Sequence, residues 1–121
     1  MNFVVSVENA IEHSLELIAE IVDRQNSKNI KMCLDVGHYH VFCREKYDVC
    51  EAINRNRNRI YEFHLSDNFG KEDEHLALGQ GRIDFKKIFS KIKELGMDPV
   101  FTVESHSDED ILKSKKYLKK C

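Results

Sequence analysis

Four short apolar runs constrain this chain most: Phe3 to Val7, Ile30 to Leu34, Ile60 to Leu65 and Val100 to Val103. They are rich in β-branched and aromatic residues and too short for helices, so each reads as a buried strand. The stretches between them carry apolar residues at helical spacing. Ile11, Leu15, Ile18, Ile21 and Val22 form the first stripe, and Tyr47, Cys50 and Ile53 form the second, within about residues 44–57. Phe85, Ile88, Phe89, Ile92 and Leu95 form the third, and Ile111, Leu112 and Leu118 follow Ser107. Asn9 with Glu12 makes a capping-box pattern at the first helix, while Asp84 caps the third and Gly96 ends it. The order is therefore βαβαβαβα, which requires a parallel sheet with right-handed crossovers. The expected fold class is α/β, a parallel (βα)4 unit with strands near 3–8, 30–35, 60–66 and 100–104. With 121 residues the chain is one domain, and a complete (βα)8 barrel, which takes about 250 residues, is excluded.

Composition narrows the function classes. The net charge of −2 leaves no footprint for binding a nucleic-acid backbone, so a nucleic-acid partner is disfavoured. No apolar run approaches the ~20 residues of a membrane span. The start, MNFVVSVENAIEH, lacks the basic region of a secretory signal. Cys33, Cys43, Cys50 and Cys121 form no CxxC pair, which fits ordinary reduced thiols in a cytoplasmic protein.

The chemistry sits where the strands end. Glu8 follows the first strand, Asp35 the second and Glu104 the fourth, and His64 lies near the end of the third. In parallel α/β folds the C-terminal strand ends share one side, and ligands bind there. Two Glu, one Asp and one His suit Mn²⁺, Mg²⁺, Co²⁺ or Zn²⁺. Taken singly, an acid after a strand is a helix cap or a solvated side chain. His64 caps nothing, however, and Glu104 precedes its helix by several residues. Other residues cluster in sequence with these four. His38 lies three past Asp35, as a rim residue or a loop histidine bonded to backbone. Asp67 lies three past His64, either orienting it or capping a turn. Asp73 and His75 form a D-x-H pair in a highly charged loop. Gly79 and Gly81 are weak evidence for a phosphate site, and the 54–59 run NRNRNR reads as a solvated helix end.

The ordered set V-E-N (7–9), C-L-D-V-G-H (33–38), F-H-L-S-D (63–67), D-E-H-L-A-L-G-Q-G-R-I-D-F (73–85) and T-V-E (102–104) resembles the C-terminal half of the xylose isomerase-like barrel superfamily. That group includes sugar isomerases, ketose 3-epimerases, inosose dehydratases and isomerases, and apurinic-site endonucleases. The resemblance implies that the four strands are numbers five to eight of a barrel, forming one domain over residues 1–121. It implies that Glu8, Asp35, His64 and Glu104 hold a divalent metal, and that Glu8 and Glu104 act as an acid/base pair on a small sugar or sugar phosphate. It places His38, Asp67 and His75 beside the substrate. Asp73 and His75 also match the D-x-H that holds an extra metal in the endonuclease branch, which gives a metal phosphodiesterase as the alternative. The first four βα units of the family are absent. A homodimer or a separate N-terminal half can complete the barrel, and a truncated, non-catalytic remnant is a third reading. A lone half barrel is expected to expose its sheet edges and a hydrophobic inner face.

Overall fold

The computed structural model describes residues 3–121. In chain order the elements are β1 (Val5–Glu8), α1 (Glu16–Arg24), β2 (Ile30–Asp35), α2 (Val36–Phe42), α3 (Val49–Asn56), β3 (Ile60–Leu65), α4 (Phe85–Glu94), β4 (Val100–Val103) and α5 (Asp108–Leu118). The strands form one parallel sheet in the order β1-β2-β3-β4. The alternation of elements requires the parallel sheet, and its consecutive strand order is that of half a βα barrel, as the resemblance implies.

Side chains alternate along each strand, so one set packs under the helices and the other faces away. Met32, Leu34, Phe63 and Leu65 are fully buried against Ile18, Val22, Ile53, Phe85, Ile88 and Ile92 of the helices. The opposite face carries Glu8, Cys33, Asp35, Glu62, His64 and Thr102 in adjacent register. That inner face is polar, which corrects the expected hydrophobic one. Exposed apolar residues include Val5 on β1, Tyr61 on β3, Val100 and Phe101 on β4, Leu17, Ile111 and Leu112 on the helices, and Ile11 and Phe69 in loops.

Three local expectations change. Asn9 does not cap α1, which begins only at Glu16. The Asn9 side chain is buried and pairs with the backbone of Asp35, donating to its carbonyl at 3.1 Å and accepting its N–H at 2.7 Å. Glu45, from a distant loop, holds the start of α1 by accepting from the Ser14 hydroxyl and the Leu15 N–H. The break expected after Asp35 is a short helix, α2, capped by Asp35 Oδ1, which accepts the His38 N–H at 2.8 Å. In the first stripe Leu15, Ile18 and Val22 are buried, but Ile11 precedes α1 and is exposed, and Ile21 lies at the solvent-facing edge of the helix. The caps at Asp84 and Ser107 form as expected. The arginines of the 54–59 run bind partners within the chain, Arg55 with Glu51, Arg57 with Asn54 and Arg59 with Asp23 of α1.

Candidate metal centre

The parallel order carries Glu8, Asp35, His64 and Glu104 to one rim. Asp35 is in register with His64, and the Glu104 N–H donates to the Leu65 carbonyl at 2.9 Å, extending β4 alongside β3. One ligand atom from each of the four lies within 4.8 Å of the other three. His64 Nδ1 is 3.1 Å from Glu8 Oε1, 3.2 Å from Glu104 Oε1 and 4.0 Å from Asp35 Oδ2.

The Asp35 carboxylate is 1% exposed, and its Oδ2 has no hydrogen-bond partner. A buried, unpartnered carboxylate oxygen is costly, so one aimed at three other ligand atoms fits a bound cation. Burial, with Glu8 beside it, pushes Asp35 up to about 7, although the His38 N–H and ring charge oppose the rise. Burial alone would lower His64, but the carboxylates of Glu104, Glu8 and Glu62 outweigh it and hold the imidazole above its usual range. Mixed carboxylate and imidazole donors suit Zn²⁺, Mn²⁺, Co²⁺ or Mg²⁺.

A second cluster adjoins the first. His38 Nε2 and His75 Nε2 are each 3.1 Å from Asp73 Oδ2. His38 Nδ1 lies 2.9 Å from the Asn9 carbonyl, an acceptor only, which places a proton on Nδ1. Asp73 Oδ1 is buried without a partner. His38, Asp73 and His75 can therefore also hold an ion, and the His106 ring lies 5.0 Å from that of His75.

The structure brings Glu8, Asp35, His64 and Glu104 together, with His38 and His75 next to them. Asp67 is not brought to the rim. It is fully buried, and its carboxylate accepts the backbone N–H groups of Asn68, Gly79, Gly81 and Ile83. It clamps the loop that carries Asp73 and His75. The glycine N–H groups considered for a phosphate are thus committed to an internal carboxylate.

Sequence reasoning missed Glu62. Its Oε1 lies 3.3 Å from His64 Nε2 and accepts from the Thr102 hydroxyl at 2.7 Å. The two-residue period of the strand places Glu62 on the face of His64, and that signal was available. Cys33 also lies near Glu62 and His64. Burial, then the charges of Glu62, Glu8, Asp35 and Glu104, raise its thiol far above the ordinary range.

A four-stranded parallel sheet with acids and a histidine at its strand ends defines the class as half of a ligand-binding βα barrel. The family model described as the xylose isomerase-like TIM barrel matches residues 2–121, and the chain belongs to that family. An uncharacterized protein of Methanocaldococcus jannaschii, MJ1311, is 36% identical over 104 residues, covering 86% of this chain and 35% of its own. An inosose dehydratase of Geobacillus thermodenitrificans is 28% identical over 128 residues, covering 86% of this chain and 42% of its own. The crystal structure of a D-tagatose 3-epimerase-like protein superposes with a TM-score of 0.84 at 32% identity, over 97% of this chain and 46% of that one. The chain thus spans less than half the length of these relatives. No described helix is long and apolar enough to cross a membrane.

Proposed function

We propose that this chain is the metal-carrying half, strands five to eight, of a sugar isomerase or epimerase of the xylose isomerase-like superfamily. The reading is carried by the buried, unpartnered Asp35 Oδ2 facing Glu8, His64 and Glu104 at the strand ends. A divalent ion held by these four residues supplies Lewis-acid polarisation of a substrate carbonyl. Glu8 and Glu104 are the more accessible ligands, with side chains 37% and 35% exposed against 1% for Asp35. They stand at the ends of the two outermost strands, and in this reading they serve opposite faces of the substrate. One removes the proton α to the carbonyl, and the other returns a proton on the opposite face. His38 and His75 line the mouth as hydrogen-bonding groups for the sugar hydroxyls. The remaining pocket wall comes from four further βα units, supplied by a second copy or by a separate N-terminal half.

The α-proton step is tested by following deuterium from heavy water into a ketose by NMR, with the Mg²⁺-loaded protein in its completed barrel, as a homodimer or with the N-terminal half added. Exchange should occur, and Glu8→Gln and Glu104→Gln should each slow it by about 100-fold or more. Exchange that is absent, or indifferent to both changes, overturns the reading. The His38, Asp73 and His75 cluster favours one second reading, a metal phosphodiesterase. Cleavage of an abasic-site oligonucleotide without any α-proton exchange would select it.

A further inference from the structure

The proposed centre depends on a histidine presenting one particular ring nitrogen, and a neighbouring residue is placed to govern that. His64 Nδ1 faces the carboxylate oxygens of Glu8, Glu104 and Asp35. Its Nε2 points the other way, 3.3 Å from Glu62 Oε1. Glu62 is anchored in turn, because the same oxygen accepts from the Thr102 hydroxyl of β4 at 2.7 Å. Glu62 and Thr102 lie on the strands that flank the gap between His64 and Glu104, and both face inward with His64.

A neutral imidazole has one N–H and one lone pair, and the partner of one nitrogen decides the state of the other. A carboxylate can only accept, so without an ion Glu8 Oε1 takes a hydrogen from Nδ1 at 3.1 Å; an ion on Nδ1 displaces that hydrogen, and the ring then carries its one hydrogen on Nε2, facing Glu62 at 3.3 Å. That form leaves the Nδ1 lone pair directed at the rim. We propose that Glu62 is the positioning residue of the metal centre, fixing the tautomer and ring orientation of His64 from beneath, with Thr102 holding Glu62 in place. The proposal rests on the reading of the four rim residues as metal ligands. In this proposal Glu62 acts through His64 and is not itself a ligand of the rim ion. Partners of this kind on metal-bound histidines are worth about 10–100-fold in metal affinity.

The test is calorimetric titration of the purified protein with Mn²⁺ or Zn²⁺, for wild type, Glu62→Ala, Glu62→Gln, His64→Ala and the double variant Glu62→Ala/His64→Ala. Glu62→Ala should weaken binding about 10–100-fold. Glu62→Gln, which keeps an accepting oxygen in the same volume, should recover most of the loss. In the His64→Ala background Glu62→Ala should have no further effect, because its route to the ion is gone. A general loss of structure would instead weaken binding in both backgrounds and would not be rescued by Gln. If wild type binds one ion and Glu62→Ala binds it equally well, this inference alone is overturned. An equal loss in both backgrounds also overturns it alone. If wild type binds no ion, the reading of the centre falls and takes the inference with it.

Discussion

The loop between β3 and α4 hangs on one side chain, and Asp67→Asn is the change that exposes this. Asp67 Oδ1 accepts the N–H groups of Asn68 at 2.9 Å and Ile83 at 3.1 Å. Oδ2 accepts those of Gly79 at 3.0 Å and Gly81 at 2.9 Å. Asparagine keeps the size but only one accepting oxygen, and it turns an NH₂ group toward two N–H donors. Two charge-assisted bonds become repulsive contacts, a loss of about 2–4 kcal/mol. Asp67→Ala removes all four bonds. Asn68 and Ile83 are buried and leave their N–H groups unpaired, while exposed Gly79 can turn to water, so the cost is about 3–6 kcal/mol. Against the roughly 5–15 kcal/mol of a typical domain, either change is severe. Urea unfolding followed by circular dichroism should show a lower midpoint at constant slope, and the melting temperature of Asp67→Asn should fall by about 10 °C. Amide exchange at Gly81 and Ile83 should accelerate before the strands open. A stability loss below about 1 kcal/mol with these amides still protected would show that the carboxylate does not hold the loop.

Three further changes probe other parts of the fold. A Cβ at Gly81 would collide with the Asp67 carboxylate and the Asn68 carbonyl, so Gly81→Ala should destabilise by about 2–3 kcal/mol in the same unfolding assay. Asn9→Ala strips both partners from the backbone of buried Asp35 and should cost about 2–4 kcal/mol, read as a lower urea midpoint. The metal-free protein should lose stability as pH rises. The Asp35 pKa is higher folded than unfolded, so its ionisation opposes folding increasingly between about 4 and 7. His64 and His38, also raised, contribute stability below their unfolded value that disappears as they deprotonate. Thermal melts of metal-free protein should therefore fall from about pH 5 to about pH 8, and Asp35→Asn should flatten that slope. A melt that rises over this range contradicts the sign.

The strand runs, the parallel order and the four rim residues were legible because each is a local pattern. β-Branched runs end in a ligand residue, and the fold's rule brings strand ends together. What escaped was long-range. Asn9 has the chemistry of a helix cap, but its amide is spent on Asp35, 26 residues away. Asp67 has the spacing of a partner for His64, yet its oxygens are taken by N–H groups up to 16 residues further on. The start of α1 depends on Glu45, which no local signal near Leu15 reveals. Ile11 has the spacing of the first helical stripe, but it precedes α1 and is exposed. Glu62 differs from these cases, because strand periodicity alone puts it on the face of His64.

The most direct test of the metal centre is elemental analysis with equilibrium binding of Mn²⁺ and Zn²⁺ to wild type, Asp35→Asn and Glu104→Gln. The ligand cluster predicts that wild type holds an ion at the rim with a higher melting temperature when loaded. Both variants should lose that ion, while any ion at His38, Asp73 and His75 remains. Wild-type protein without stoichiometric metal, or variants that bind it undiminished, would contradict the assignment of Glu8, Asp35, His64 and Glu104.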